Sequence, residues 1–273
     1  MTFLRFILLS ALFLPAAVSA TTIDVKFNQA AHSVKAEINL SPAVSLDFSI
    51  GFGNAVGLTP QNFTINAELI SLTDPRIVNR LPDSLLTSLP SAFPVLISVE
   101  PDPARGFAFS GTADIELYTK TLHYTEGTPL RLFHAHGNES FQDITTMTGA
   151  GSYRVRGSGG QFSDFVVLVD LRSNLTVINE KVTQLQSFTS SVQQQLSYDA
   201  ELQLTTLVQD IADAVAQSQL VQASTAVNEL IRVLELDDGV LYPDVWRSSD
   251  DVINVRGRLL SISRTLRYSL RIH

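Results

Sequence analysis

The hydrophobic residues of this chain change their spacing near residue 172, and this change constrains the fold more than any other feature. Before it, apolar residues alternate with polar ones, as in the run Ile23, Val25 and Phe27. Such alternation gives a strand one face for a core and one for solvent. After it, apolar residues recur every three or four positions, which is the period of a helix. The sequence therefore predicts a β-rich part followed by an α-helical part.

Residues 21–172 contain several further alternating runs, separated by turn-forming residues. Apolar residues alternate from Val34 to Leu40 and again from Phe63 to Leu69. Segments rich in glycine and proline lie between the runs and favour turns. Short strands with one polar face are typical of antiparallel sheets. We therefore predict that residues 21–172 form an antiparallel β-sandwich domain.

Residues 173–273 contain four apolar series with helical spacing. The first series includes Leu175, Ile178 and Val182, and the connections between the series are short. Helices joined by short connections pack as antiparallel neighbours. We therefore predict a C-terminal antiparallel α-helical bundle, so that the fold class is α+β by segregation, with the sandwich domain first and the bundle second.

The start of the last helix is predicted from its capping residues. Ser248 and Ser249 are good N-cap residues, and Asp250 and Asp251 suit the first helical turn. We therefore expect this helix to begin at Ser248 or Ser249.

Residues 1–20 are typical of a cleaved secretory signal peptide. Arg5 precedes an apolar run from Phe6 to Leu14, and small residues end at Ala20. The run is only about ten residues long, whereas a membrane-spanning helix needs roughly twenty. No later segment has spanning length. We predict an exported protein, periplasmic or extracellular, with no transmembrane segment after signal cleavage.

The absence of cysteine and the acidic charge exclude several classes of protein. With 273 residues the chain is long enough to fold without disulfides, and it has no thiolate ligand or nucleophile. A cysteine-free exported chain is more typical of bacteria than of animal extracellular proteins. The net charge is −8, whereas nucleic-acid-binding proteins have a basic surface for the phosphates. We therefore expect no nucleic-acid partner.

Two closely spaced histidines are the strongest candidates for metal ligands. His134 and His136 are two residues apart, so on a strand they would share one face and bind zinc or copper together. His123 or Glu139 would supply a third ligand. The competing interpretation is that these histidines are exposed, because Gly137 and Asn138 favour a turn directly after them.

The remaining motifs predict neither a catalytic site nor a bound cofactor. Glycines cluster at positions 149–151 and 157–160, but strand-like residues flank both clusters. A phosphate-binding loop needs a helix after its glycines. We interpret both clusters as hairpin turns. The chain also lacks the serine-hydrolase elbow Gly-x-Ser-x-Gly.

Basic residues are concentrated in the last predicted helix, although the chain as a whole is acidic. Arg256, Arg264 and Arg267 belong to this group. A basic helical face can bind an anionic surface or an acidic partner. The alternatives are that the face docks on acidic groups of its own chain or is only solvated.

Three segments resemble a strand cassette found in large secreted bacterial proteins. They are Leu-Arg-Leu-Phe-His at 130–134, Glu-Ser-Phe-Gln-Asp-Ile-Thr-Thr at 139–146 and Phe-Ser-Asp-Phe-Val-Val-Leu-Val at 162–169. The resemblance implies a β-sandwich module without an active site.

The helical part is similar to small helical modules that follow β-domains in secreted bacterial glycan-handling proteins. The similarity lies in residues 221–234 and the Asp-Asp-Gly turn at 237–239. As a whole, the chain resembles an uncharacterised bacterial exported family built from two accessory-type modules without a catalytic domain.

Two functional hypotheses follow. The first is an exported, non-catalytic interaction or structural module that binds a cell-envelope component, either a glycan or a protein. The second is a periplasmic metal-binding protein or a metal-dependent enzyme that uses His134 and His136. The first is favoured because no catalytic motif is present, and the oligomeric state stays open.

Overall fold

The computed structural model of the protein describes residues 21–149 and 151–272. These residues form two antiparallel sheets and four long helices that follow most of the strands. The predicted α+β class is therefore confirmed. The predicted signal peptide, residues 1–20, lies outside the described residues.

The first sheet has seven strands. Its order is β1-β2-β3-β7-β11-β10, and β13 also pairs with β7. The strands are β1 (Thr22–Asn28), β2 (Ser33–Ser41), β3 (Val44–Val56), β7 (Ala108–His123), β10 (Thr145–Gly149), β11 (Ser152–Gly159) and β13 (Val245–Arg247).

The second sheet has six strands. Its order is β4-β6-β12-β8-β9, and the short strand β5 also pairs with β12. The strands are β4 (Phe63–Leu69), β5 (Thr87–Ser88), β6 (Val95–Pro101), β8 (Leu130–Ala135), β9 (Gln142–Asp143) and β12 (Asp164–Asp170).

The apolar faces of the two sheets share one hydrophobic core. In β2, residues from Val34 to Leu40 are buried at every second position, as the alternating sequence predicts. The rings of Phe48 in the first sheet and Phe165 in the second lie 5.5 Å apart between centroids. Side chains of both sheets therefore exclude water together, and this burial is the main stabilising contribution to the β-rich part.

Four long helices follow, and a second hydrophobic core lies among them. A short helix, α1 (Pro75–Val78), lies among the strands. The four long helices are α2 (Asn174–Val192), α3 (Tyr198–Ala216), α4 (Leu220–Leu236) and α5 (Val255–Arg271). Ser173 and Ser197 cap α2 and α3 by accepting backbone hydrogen bonds from Thr176 and Ala200. The apolar stripes that predicted the helices supply the core.

The last helix begins later than the sequence predicts. Asn254 caps it, because its Oδ1 accepts a hydrogen bond from the backbone N–H of Gly257 at 2.7 Å. The predicted cap at Ser248 or Ser249 is wrong. Asp250 instead accepts a hydrogen bond from the indole Nε1 of Trp246 at 3.3 Å. The packing of Trp246 on Phe109 and the hydrogen bond from the Ser248 N–H to the Phe107 carbonyl at 2.8 Å hold this segment against the first sheet, so the helix begins after it.

The separation of strands from helices is not complete. Strand β13 lies between α4 and α5 in the chain, yet it pairs with β7 in the first sheet. Trp246 on β13 packs into the core of the sheets, 5.5 Å from the ring of Phe109 between centroids. Whether residue 172 separates two independent domains therefore stays a prediction.

Across residues 21–149 and 151–272, no helix combines the length and the apolar character that crossing a membrane would require.

The prediction of a hairpin turn is wrong for one of the two glycine clusters, residues 157–160. Gly149 and Gly151 do flank the connection between β10 and β11. Gly157 and Gly159, however, lie within β11, and Gly160 follows it. A Cβ atom at Gly160 would lie only 2.5 Å from Cγ of Arg258 on α5. The absence of a side chain at this position therefore allows α5 to approach the sheet closely.

Candidate ligand-binding site

His134 lies in β8, where its imidazole is buried against the ring of Phe165 at a centroid distance of 4.9 Å. The residue is only 7% exposed, and its Nε2 atom has no hydrogen-bond partner among the described residues. Burial, together with the nearby charges of His136, Arg258 and Arg80, lowers the pKa of His134 to about 3. The ring is therefore neutral at neutral pH.

His136 follows β8 and is only half-buried. Its Nδ1 atom lies 2.6 Å from the carbonyl oxygen of Phe162. A carbonyl can only accept, so Nδ1 carries a proton in this arrangement. Nε2 faces the carboxylate of Asp250 at 3.7 Å. His136 thus links the end of β8 to the connection between β11 and β12 and to the segment after β13.

The other proposed metal ligands are exposed. His123 ends β7 in the first sheet, whereas His134 belongs to the second, and Glu139 lies in the turn after His136. Within the part of the chain that the structure describes, no three or more residues of the types His, Asp and Glu are grouped as metal ligands.

Arg256 and Arg264 on α5 contact acidic and carbonyl groups of their own chain. Nε of Arg256 donates to the carbonyl of Leu234 at 2.6 Å, at the C-terminal end of α4. Arg264 forms ion pairs with Glu235 at 3.1 Å and with Asp114 at 3.5 Å. This internal docking is one of the alternatives to partner binding that the sequence leaves open.

Arg267 is the third arginine proposed to bind a partner, and it is half-buried on α5. Burial, with the nearby positive charges of Arg271 and Arg264, lowers the pKa of its guanidinium. Most of α5 is buried against the first sheet and the neighbouring helices. Little of the predicted basic face is therefore available to solvent.

A buried ion pair joins α2 to the second sheet. Nζ of Lys181 lies 2.7 Å from Oδ2 of Asp143 and also donates to the Thr265 carbonyl and the Ser269 hydroxyl of α5. Burial opposes ionisation of Asp143, but Lys181 and hydrogen bonds from Thr145 outweigh it, so the pKa of Asp143 is lowered. These contacts fix the position of three elements relative to one another.

A cleft of about 550 Å³ lies where the loop after β7 meets the C-terminal end of α5. This volume is within the range of natural ligand pockets. Aromatic rings and hydrogen-bonding groups line it together, and the described lining residues are Tyr124, Glu126, Gly127, Thr128, Arg131, Thr148, Arg172, Asn174, Tyr268 and Ile272. We call it the tyrosine cleft.

Contacts within the chain hold part of the wall of the tyrosine cleft in place. The guanidinium of Arg131 lies 5.6 Å from the ring centroid of Tyr268 and donates to the carbonyl of Leu130 at 2.8 Å. The hydroxyls of Tyr268 and Thr148 are hydrogen-bonded at 3.0 Å. Arg172 is paired with Asp170 at 2.7 Å and with Glu180. These contacts hold Arg131, Thr148, Arg172 and Tyr268 in place.

Sequence reasoning missed both the tyrosine cleft and the buried lysine. The cleft is assembled from four separated segments, so no local motif marks it. Lys181 did leave a signal, because it interrupts the apolar stripe of Ile178, Val182 and Leu185 at a position that faces the core.

The comparisons with known proteins identify a family. The sequence profile of DUF6689, a family of unknown function, matches residues 8–273. The chain belongs to the DUF6689 family. The DUF6689 match spans the sheets and the four long helices together, and it confirms the predicted membership of an uncharacterised family. A comparison with curated proteins found no match.

Proposed function

We propose that this DUF6689 protein is an exported, non-catalytic binding protein of the bacterial cell envelope, and that its ligand is a glycan held in the tyrosine cleft. The observation that carries the proposal is the composition of this cleft, in which Tyr124 and Tyr268 lie with the hydrogen-bonding groups of Arg131 and Asn174. A sugar ring has an apolar face and a rim of hydroxyls. The half-buried Tyr124 provides an apolar surface with a polar tip, and Arg131 and Asn174 provide donors for hydroxyl oxygens.

The charges in the tyrosine cleft favour binding over hydrolysis. A glycosidase commonly needs two facing carboxyl groups. Glu126 supplies the one carboxylate among the described residues that line the cleft. The missing hydrolase motifs of the sequence agree with a non-catalytic role.

The architecture that we propose for this role is a β-sandwich followed by an antiparallel helical bundle. The shared core of the two sheets supports the sandwich, and the common core of α2 to α5 supports the bundle. In this arrangement the tyrosine cleft lies at the junction of the two parts, where strand loops and helix ends meet.

Export is proposed on the signal-like residues 1–20, and it places the protein in the periplasm or outside the cell. Expression in a bacterial host followed by N-terminal sequencing tests it. We expect a mature chain that begins at Thr21. Recovery of the intact N-terminus from the cytoplasm would contradict export.

Glycan binding is tested by titrating the mature chain with soluble fragments of bacterial envelope glycans and by co-sedimentation with the insoluble glycan. We expect binding that weakens at least tenfold in Tyr124→Ala and in Arg131→Gln. The controls are Tyr198→Ala and Arg232→Gln, which change the same residue types on exposed helix surfaces. Equal binding by all four variants would show that the cleft is not the site.

The metal hypothesis for His134 and His136 has less support. The Nδ1 atom of His136 already faces a carbonyl, His123 is exposed on the other sheet, and Glu139 is exposed in the turn after His136. Elemental mass spectrometry of the mature chain and of a His134→Ala, His136→Ala double variant tests it. Stoichiometric zinc or copper in the mature chain, absent from the double variant, would support the metal hypothesis.

A further inference from the structure

We infer that a second, smaller pocket binds a carboxylate group through Arg258 and His134. It lies where α5 crosses β9 and the end of β11. The inference does not depend on glycan binding in the tyrosine cleft, because the two sites share no described lining residue. We call this site the arginine pocket.

Arg258 has unused hydrogen-bonding capacity. Its guanidinium stacks on the ring of Phe188 at 4.2 Å from the centroid. Among the described residues, none accepts a hydrogen bond from this guanidinium, and no carboxylate oxygen lies within 4.0 Å of it. Stacking fixes the plane of Arg258 while its N–H groups stay free.

His134 provides a second unsatisfied group in the same pocket. It lines the pocket, it is more than nine-tenths buried, and its Nε2 has no partner among the residues that the structure describes. A buried polar atom without a partner costs about 1–3 kcal/mol. A ligand oxygen that accepts a hydrogen bond from this ring would remove that cost.

The opposite wall of the arginine pocket is formed by small residues. Gly159 and Gly160 bring the backbone of the first sheet close to α5, and a Cβ at Gly160 would overlap Arg258. The hydroxyls of Ser158 and Ser261 lie 3.3 Å apart across this junction. Glycine at position 160 therefore lets the stem of Arg258 pack directly on the backbone, and this contact holds the residue at the pocket.

The charge balance of the arginine pocket favours an anion. Asp143 is the one carboxylate among the described lining residues, and Lys181 neutralises it at 2.7 Å. Glu139 and Asp250 are the acidic groups whose charges reach Arg258, but neither forms an ion pair with it within 4.0 Å. The positive charge of Arg258 is therefore left without a direct counter-charge.

The size and geometry of the pocket indicate a carboxylate. The free volume is about 50 Å³, so only a small group enters and the rest of the ligand stays outside. A guanidinium binds a carboxylate through two parallel N–H···O bonds. Carboxylates occur in acidic sugars and at the C-terminus of a peptide. The structure assigns the carboxylate that these two sources have in common, and it leaves the source to experiment.

Acetate is the simplest probe of the arginine pocket. The mature chain is titrated with sodium acetate, with sodium chloride and sodium sulfate as controls at equal ionic strength, while the ring resonances of His134 are followed by NMR. We expect saturable shifts with acetate alone. Equal shifts with sulfate would contradict a site for planar carboxylates, and the absence of saturable shifts with acetate would overturn the site.

Two matched variants assign the effect to Arg258. Arg258→Gln removes the charge within the pocket, and we expect at least a tenfold weaker affinity for acetate. Arg267→Gln removes a half-buried arginine from the same helix and should leave the affinity unchanged. Equal affinities in both variants would overturn the assignment. If Arg258→Gln does not fold, the NMR titration of the parent chain with acetate still tests whether the pocket binds a carboxylate.

Two further ligands distinguish the source of the carboxylate. Glucuronate represents acidic sugars, and an N-acetylated dialanine represents a peptide C-terminus. Tighter binding of either one than of acetate, lost in Arg258→Gln, identifies the source. Glucose and the dialanine amide lack the carboxylate, so binding of these two as strong as that of the acids would overturn the proposal. A negative result with these ligands does not bear on the tyrosine cleft, because that site is tested with Tyr124→Ala and Arg131→Gln.

Discussion

At the scale of single residues, His134 shows how burial decides the chemistry of a side chain. An imidazole ordinarily gains a proton near pH 6.5. Burial disfavours a charge on this ring. The nearby His136, Arg258 and Arg80 also oppose its protonation, because they are positively charged or can become so. The folded protein therefore keeps His134 neutral over a pH range in which the unfolded chain protonates it.

This difference predicts a pH dependence of stability. The pKa of His134 is lowered to about 3 in the folded protein. The contribution of this ring to the free energy of unfolding is therefore fully present above pH 6.5 and is lost as the pH falls toward 3. Between pH 7.5 and 4.5 the free energy of unfolding should fall by about 2–3 kcal/mol more in the parent than in His134→Phe. Urea denaturation in carboxylate-free buffers measures this.

The control for this pH dependence is His123→Phe, which changes an exposed histidine in the other sheet. It should follow the parent curve. Parallel stability curves for the parent and His134→Phe would show that the ring is not held neutral.

At the scale of elements, the contact between α5 and the first sheet organises the molecule. Gly257 in the first turn of α5 faces the carbonyl of Gly111, and the Asn254 side chain bridges the two, with Nδ2 donating to that carbonyl at 2.7 Å. Backbone thus meets backbone without an intervening side chain.

A substitution at Gly257 should therefore run against the ordinary helix preference. Alanine usually stabilises a helix by about 1 kcal/mol relative to glycine. Here an added Cβ would overlap the Gly111 carbonyl and lie 2.5 Å from the Asn254 side chain. We expect Gly257→Ala to destabilise the protein by about 1–3 kcal/mol, measured by urea denaturation. Ser187→Ala, at an exposed site on α2, is the control. A gain in stability would contradict the close contact.

Local patterns predicted most elements, and long-range contacts explain the exceptions. The alternation from Val34 to Leu40 follows directly from a strand with one buried face. Strand β13 has only three residues, and its pairing with β7 depends on contacts more than one hundred positions away. No periodicity marks so short a segment. The sequence also placed His134 and His136 on or beside a strand, but it did not reveal that His134 faces the core.

At the scale of the whole molecule, the sheets and helices are joined by β13 and α5. Trp246 is the single tryptophan of the chain, and it lies in the core of the sheets although its segment belongs to the C-terminal part. The pair Lys181–Asp143 adds a buried link between α2 and β9.

These links predict one cooperative unfolding transition. Tryptophan fluorescence reports the core of the sheets, while circular dichroism at a helical wavelength reports α2 to α5. We expect the two signals to share one midpoint in urea, which is the criterion for a two-state process. Two separated midpoints would instead support independent domains on either side of residue 172.

The central claim is that the tyrosine cleft binds an envelope glycan, and hydrogen exchange of the mature chain with and without soluble glycan fragments tests it most directly. We predict that the ligand slows exchange in residues 124–131, 148–149 and 268–272, which surround the cleft. Protection confined to other surfaces, or none at saturating concentrations of the fragments, would contradict the claim.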